Sequence, residues 1–208
     1  IAGLIFGFFF VIYEYRIKYP ILNIRIFINN RIFIFSNIAA LINYSATFAV
    51  GFLLSLYLQY IKGFDAQKAG IILIAQPIMQ FAVSPFAGRI SDKIEPYYIA
   101  SSGMFLTAVG LGMLALISPN SNLVFIISCL ILLGIGFGFF SAPNTNAVMN
   151  SIAPKHYGVA SGTLATMRML GQMLSMGIVL ILFALIMGKI KISVKYYPLF
   201  LVCIQRAF

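Results

Sequence analysis

The feature that most constrains this chain is a succession of five long apolar segments separated by short polar turns. The segments cover residues 32–58, 69–87, 98–117, 123–146 and 161–187. A helix needs roughly 20 apolar residues to cross a bilayer. Because a backbone in lipid must satisfy its own hydrogen bonds, and because these segments show no strict polar alternation, helices are favoured over a barrel. The sequence therefore predicts an all-α, polytopic transmembrane helix bundle, placed as a multi-pass protein in the cell membrane.

The composition agrees with a membrane protein and argues against other classes. Hydrophobic residues make up 62% of the 208 residues and charged residues 9%, which is more apolar surface than one soluble core can bury. The net charge of +10 comes from cations scattered singly between apolar segments, so no nucleic-acid partner is expected. Cys129 and Cys203 lie inside apolar segments without metal-ligand spacing, so no metal site is expected.

Both ends of the chain are predicted to be incomplete. Residues 1–13 are apolar but too short to span a bilayer, and we interpret them as the end of a truncated transmembrane helix. Residues 14–31 mix charged with apolar side chains and are interpreted as a cytoplasmic or interfacial linker. Residues 32–208 then form one transmembrane bundle, with a partial last helix that starts at residue 199.

The distribution of Lys and Arg predicts an orientation. If the linker is cytoplasmic, its side of the membrane carries seven cations: Arg16, Lys18, Arg25, Arg31, Arg89, Lys93 and Lys155. The opposite side carries five: Lys62, Lys68, Lys189, Lys191 and Lys195. Because cytoplasmic connections are enriched in positive charge, the turn at residues 88–96 is predicted to face the cytoplasm.

No arrangement of residues typical of an enzyme is present in the sequence. The single histidine, His156, has no nearby nucleophile and carboxylate with which to form a triad. The phosphate-binding pattern GxxxxGK[ST] is absent, and residues 134–138 do not match GxGxxG. We therefore predict a protein that is not an enzyme and that uses no cofactor.

Polar residues inside the predicted spans mark candidate functional positions, because they are costly in lipid. Gln76 and Gln80 are spaced i,i+4 and so share one helix face. Such residues are expected to line a water-filled path through the bundle, with hydrogen bonding between helices as the alternative. The candidate path consists of Asn43, Tyr44, Gln76, Gln80, Asn144, Arg168 and Gln172.

Small residues and proline in the fourth segment indicate close packing or bending. Gly134 and Gly138 are one helical turn apart, and Pro143 follows in the same segment. Glycines at this spacing let helices approach closely, while a proline frees a carbonyl and permits a bend. Two interpretations stay open, a packing groove and a gating helix.

Four stretches resemble, in order and spacing, the major facilitator superfamily, and within it the fourteen-helix drug:proton antiporters of the EmrB/QacA type. Residues 88–93, with the sequence GRISDK, resemble the superfamily's cytoplasmic loop motif G-x-L-A-D-R-x-G-R, from which the chain departs at residues 95–97. Residues 64–70 resemble the lead-in to the next helix, and residues 134–143 resemble a Gly-rich helix that ends in proline. Residues 157–162, with Arg168 and Gly171, resemble the block G-x-A-S-G...R-x-x-G.

The resemblance implies a fold and roles for particular residues. The fold would be the carboxy-terminal half of a major facilitator superfamily fold, truncated at both ends and missing its amino-terminal bundle as a partner. Two such bundles rock about a substrate held near mid-membrane. The loop motif Gly88, Arg89, Asp92 and Lys93 would form a conformational latch, in which Asp92 pairs with charges and a helix end of the other bundle. The expected gating or packing positions are Gly134, Gly138, Pro143, Gly158, Gly162 and Gly171.

The function that this resemblance implies is proton-coupled export of small amphipathic or cationic compounds, multidrug efflux by alternating access. The expected partners are a small-molecule substrate, protons and the lipid bilayer. No Asp or Glu lies in the middle of a complete span, so the proton-coupling carboxylate is expected to lie outside this chain. Two alternatives stay open: a superfamily porter for another solute or metabolite, and a non-transporting membrane remnant or regulatory or structural protein.

Overall fold

The computed structural model describes residues 30–188 and 196–208. Within these ranges the secondary structure is helical and no strand occurs. The α-helices are α1 (Arg31–Leu56), α2 (Ala66–Leu73), α3 (Ala75–Ser91), α4 (Pro96–Ala115), α5 (Leu123–Asn150), α6 (Tyr157–Ile186) and α7 (Tyr197–Ala207). The predicted helix end at 1–13, nearly all of the linker at 14–31, and the cations Lys189, Lys191 and Lys195 lie outside the described residues.

Five helical segments are long and apolar enough to cross a membrane, which confirms the predicted fold class. Their bounds are Arg31–Ile61, Ala66–Ser91, Pro96–Ala115, Leu123–Asn150 and Pro154–Ile186. Several extend past the apolar segments by a turn, chiefly at the end that carries residues 88–96. This follows because a helix continues through polar residues wherever their side chains reach the headgroup region and water.

Short polar side chains fix where three of the helices begin. The side-chain oxygen of Asn30 accepts from the N–H of Phe33 at 3.0 Å, and Asp65 accepts from the N–H of Lys68 at 2.7 Å. Asn122 caps α5 in the same way. Such caps satisfy N–H groups that have no partner within the helix. Asp65 thus caps α2, which begins at Ala66.

The second membrane-crossing segment is interrupted at Ile74, between α2 and α3. Pro77 follows three residues later and has no N–H to donate to the carbonyl of Leu73. The missing hydrogen bond separates one helix into two. Ile74 nevertheless keeps helical backbone angles, so α2 and α3 together form one membrane-crossing segment.

Helix α5 lies at the centre of the bundle. It packs most extensively against α4 and α3, whereas α1 packs most extensively against α6. The described helices thus form two packing units, α3–α4–α5 and α1–α6, which keep those names below. The Asn30 side chain donates to the carbonyl of Ser151, which connects the start of α1 to the end of α5.

Two apolar clusters fill the bundle, one towards each end. The larger contains Leu53, Leu54, Leu114 and Leu130, and the smaller, nearer residues 88–96, contains Phe33 and Phe140. Polar side chains of Asn43, Thr47 and Ser175 are buried at the level between them. Large apolar side chains such as Phe81 and Leu185 point outward, 82% and 78% exposed, as expected for contact with lipid.

Candidate functional site

The turn at residues 88–96 begins as the last helical turn of α3. Gly88 and Arg89 are still helical, and the N–H of Asp92 donates to the carbonyl of Gly88 at 3.2 Å. Arg89, Asp92 and Lys93 are exposed to solvent. Among the described residues, Asp92 has no ion-pair partner, so its carboxylate is free to meet a charge from elsewhere.

A hydrogen bond between side chains, rather than a charge pair, holds this turn against α5. The Asn146 amide donates to the hydroxyl of buried Ser91 at 2.7 Å and lies 3.5 Å from Oδ1 of Asp92. The sequence associated Asn146, together with Pro143, with a gating helix, but it did not predict the contact between Asn146 and Ser91. The available signal was the position of Asn146 just beyond Pro143, on the polar end of an otherwise apolar helix.

The glycines of α5 let it approach two neighbours at backbone distance. A Cβ at Gly138 would lie 3.2 Å from the carbonyl oxygen of Gln80, and a Cβ at Gly134 would collide with that of Gln76. Gly136 faces α4, where an added Cβ would lie 2.7 Å from the hydroxyl of Thr107. Three glycines therefore join α3, α4 and α5 into one unit. Pro143 is buried in the same helix.

The three glycines predicted as gating or packing positions on α6 differ in their surroundings. A Cβ at Gly171 would lie 2.6 Å from the carbonyl oxygen of Leu41 and 2.9 Å from Cβ of Tyr44, so α6 approaches the backbone of α1 here. Gly158 and Gly162 have no atom within 4 Å of an added Cβ, apart from their own helix and chain neighbours. The structure thus places only Gly171 at a close helix contact.

Arg168 on α6 bridges the two packing units. Its Nη2 donates to the Thr145 hydroxyl on α5 at 2.7 Å, and its guanidinium lies 5.6 Å from the ring centroid of Tyr44 on α1. The Tyr44 ring in turn meets Phe137 edge-on at 5.1 Å. Nε of Arg168 is buried and has no hydrogen-bond partner among the described residues.

A cavity of about 230 Å³ lies beside this cluster, at the boundary between the packing units. It brings together four residues of the candidate path, on α1, α3 and α6: Tyr44, Gln76, Gln80 and Gln172. Thr47, Phe48, Gly51 and Phe137 complete its lining. Tyr44, Gln76, Gln80, Phe137 and Gln172 each lie within one turn of the midpoint of their membrane-crossing segment. The cavity is therefore at mid-membrane depth.

The other three residues of the candidate path do not line this cavity. Asn43 is 3% exposed, and its side-chain oxygen has no hydrogen-bond partner within the described ranges. Asn144 is 2% exposed. Arg168 reaches the cavity only through the ring of Tyr44.

Among the described residues, no acidic side chain lines the cavity, and Arg168 beside it carries a positive charge. The acidic residues that the structure describes are Asp65, Asp92 and Glu95, and all three lie in turns at helix ends. No group of three or more His, Cys, Asp and Glu residues in these ranges could hold a metal ion. The lining offers neutral hydrogen-bonding groups and aromatic rings, next to one arginine.

The amino-acid sequence was compared with models of protein families, and the result agrees with the order of these elements and the position of the loop motif. The model of the Major Facilitator Superfamily matches residues 2–176. The chain belongs to the major facilitator superfamily. It is accordingly a multi-pass protein of the cell membrane, from a family of transporters.

Individual superfamily proteins are similar over most of this chain. The riboflavin transporter RibZ of Clostridioides difficile is 30% identical over 168 residues, which cover 81% of the chain and 37% of that protein. The lincomycin resistance protein LmrB of Listeria monocytogenes is 25% identical, with 81% of the chain and 35% of that protein covered. The multidrug resistance protein B homolog of Mycobacterium tuberculosis is 26% identical, with 76% and 29% covered. The chain thus spans about a third of the length of these relatives. Its similarity to proteins named as transporters agrees with the expectation that it is not an enzyme.

Proposed function

We propose that this chain is the carboxy-terminal bundle of a longer transporter that moves small amphipathic compounds by proton-driven alternating access. The observation that carries the proposal is the mid-membrane cavity, where four residues of the candidate path from three helices meet. Secondary transporters bind substrate near the bilayer midplane at the interface between moving parts. The free Asp92 carboxylate supports the latch role, since it leaves a charge available to an amino-terminal bundle.

Export in the manner of the EmrB/QacA-type drug:proton antiporters is the form of transport that we favour. Relatives named for lincomycin resistance, multidrug resistance and cephamycin export support this direction. Of the two substrate classes expected from the resemblance, amphipathic compounds fit the cavity better than cations, because no described carboxylate faces it. The proton would be carried by a carboxylate outside this chain, since the described acidic residues lie at helix ends.

A second candidate is a superfamily porter for a neutral metabolite. It is favoured by the uncharged amide lining of the cavity and by the relative that is named a riboflavin transporter. The direction of flux under a pH gradient separates it from drug export. A non-transporting membrane protein is the remaining alternative.

The test uses the full-length protein reconstituted in liposomes under an imposed pH gradient, with riboflavin, lincomycin and ethidium as substrates. We expect riboflavin or lincomycin to move against its own gradient, and an uncoupler to abolish the movement. Asp92→Asn should lower the rate without lowering the amount of inserted protein, whereas the matched exposed variant Glu95→Gln should not. Absence of gradient-driven flux for every compound would favour the non-transporting alternative.

A further inference from the structure

Three carboxamides around the mid-membrane cavity lack partners. Gln76, Gln80 and Gln172 make no hydrogen bond to any residue in the part of the chain that the structure describes. On α6, by contrast, the hydroxyl of Thr163 donates to the carbonyl of Val159 at 2.8 Å. Because an unpaired amide at this depth costs free energy, these groups need water, a ligand or a partner from another part of the protein.

Their arrangement presents donors and acceptors from opposite walls. Gln76 and Gln80 lie one turn apart on α3, and Gln172 belongs to α6 in the other packing unit. Each carboxamide offers two N–H donors and one carbonyl acceptor. A ligand that pairs with them must itself carry a donor next to an acceptor, as an amide, imide or lactam edge does.

The remaining lining restricts the ligand's shape and size. Tyr44, Phe48 and Phe137 supply aromatic walls, which suit a flat ring. Pockets for drug-sized ligands are roughly 300–1,000 Å³ in volume. At about 230 Å³, the part of the cavity that these helices form has room for one fused ring system.

The ligand's charge is restricted by Arg168. Its guanidinium lies 5.6 Å from the centroid of Tyr44, a wall of the cavity, and its described partners are an uncharged hydroxyl and the ring. A second cation close to it would be repelled, and a site of low dielectric strengthens that repulsion. Asp65, Asp92 and Glu95, the described carboxylates, lie at helix ends and cannot offset it.

We propose that this cavity is a recognition subsite for an uncharged planar ring with an amide- or imide-type edge, bound by Gln76, Gln80 and Gln172. The inference rests on the proposed transport function and specifies its substrate class. It predicts that the ring's edge, rather than its hydrophobicity alone, determines affinity. It also predicts that permanently cationic planar compounds bind poorly at this position.

The experiment measures binding of 4-amino-1,8-naphthalimide by fluorescence to the full-length protein in lipid nanodiscs, without any gradient. This probe is neutral and flat and has an imide edge, and its N-methyl derivative lacks the donor. Loss of one hydrogen bond should weaken binding of the derivative about three- to tenfold. Ethidium, a planar cation, should bind more weakly than either probe.

Substitutions assign the effect to the cavity. Methionine retains the approximate size of glutamine but removes both donor and acceptor. We expect Gln76→Met, Gln80→Met and Gln172→Met to weaken binding of the imide probe more than binding of the N-methyl derivative, because the derivative keeps its carbonyl acceptors but has no N–H donor left to lose. Gln67→Met, at an exposed position at the start of α2, is the matched control and should change neither.

Several results would overturn the inference. Equal affinity of the wild-type protein for the two naphthalimides would do so without any variant, as would ethidium binding the most tightly. An equal loss of affinity for the imide probe in the control variant Gln67→Met would also contradict the inference. If the probes bind as expected but no compound crosses the membrane, the transport proposal fails while the subsite stands. If a compound is transported but the imide probe binds equally well to the wild-type protein and to the three glutamine variants, the subsite fails while transport stands.

Discussion

The two faces of helix α5 are packed in different ways. Towards α3 and α4, the glycines of α5 bring backbones together, with no room for a methyl group at Gly134 and Gly136 and little at Gly138. Towards α1 and α6, contact is made by side-chain ends, Phe137 against Tyr44 and Thr145 against Arg168, and a cavity remains. The first face joins α5 firmly to its unit. The second can rearrange by rotating side chains, which supports the proposed position of the ligand at the boundary between the units.

The strongest way to break the tight face is Gly134→Ala. The new Cβ would collide with the carbonyl oxygen of Gln76 and lie 2.8 Å from Cβ of Met79. Overpacking of this kind costs about 1–3 kcal/mol, so we expect a lower midpoint in thermal unfolding followed by circular dichroism in detergent. Gly162→Ala is the control, because open space surrounds its position and no loss is expected. Equal losses in the two variants would show that the face is not the cause.

The corresponding contact within the α1–α6 unit is tested by Gly171→Ala. An added Cβ would press on the backbone of Leu41 and on Cβ of Tyr44. We expect a loss of about 1–2 kcal/mol, measured by the same thermal unfolding, because the shortest contact, at 2.6 Å, is somewhat less severe than at Gly134. Gly177→Ala, on the same helix with nothing within 4 Å, should be neutral. A neutral Gly171→Ala would mean that α1 and α6 are farther apart than described.

The adaptable face is probed by a double-mutant cycle on Arg168 and Thr145. Arg168→Met and Thr145→Val each remove the 2.7 Å hydrogen bond that crosses between the units. Hydrogen bonds to charged groups contribute about 1.5–3 kcal/mol, and the partial exposure of both residues places the coupling near 1.5 kcal/mol. Equilibrium unfolding of the single and double variants measures it. Additive losses would indicate that the two side chains do not interact.

The smallest effect is expected at the end of α5 next to residues 88–96, from Asn146→Ala. This change removes the 2.7 Å bond to Ser91 and should cost about 0.5–1.5 kcal/mol in the unfolding free energy. Asp92→Asn is the companion variant. It keeps the Ser91 bond, so its stability should be unchanged even if transport falls. A larger loss in Asp92→Asn than in Asn146→Ala would assign Asp92 a structural role instead.

The fold was predictable because bilayer thickness sets the length of an apolar segment. Five such segments were visible in the sequence, and five helices of membrane-crossing length are found. The interruption at Ile74 was not predicted, although Pro77 carried the signal. The place of the interruption depends on which backbone carbonyl loses its hydrogen bond because Pro77 has no N–H, and a hydropathy pattern does not show this.

The sequence predicted the candidate site only to the extent that helical periodicity shows which side chains share one helix face. The i,i+4 spacing of Gln76 and Gln80 defines a face, and the structure shows both on one cavity. Periodicity does not identify the neighbour across that face. For this reason Thr145, the partner of Arg168, was not predicted, and Gly158 and Gly162 could not be distinguished from Gly171.

The glycine face of α5 also bears on the order in which the protein is made. Helix α3 carries Gln76, Gln80, Pro77 and Pro85, and the partner whose glycines receive its backbone is encoded two helices later. Since chains are synthesised from the amino terminus, α3 enters the membrane before that partner exists. It must wait beside lipid or the insertion machinery until α5 arrives. Substitutions that slow this late docking would lower the yield of inserted protein without altering the finished transporter.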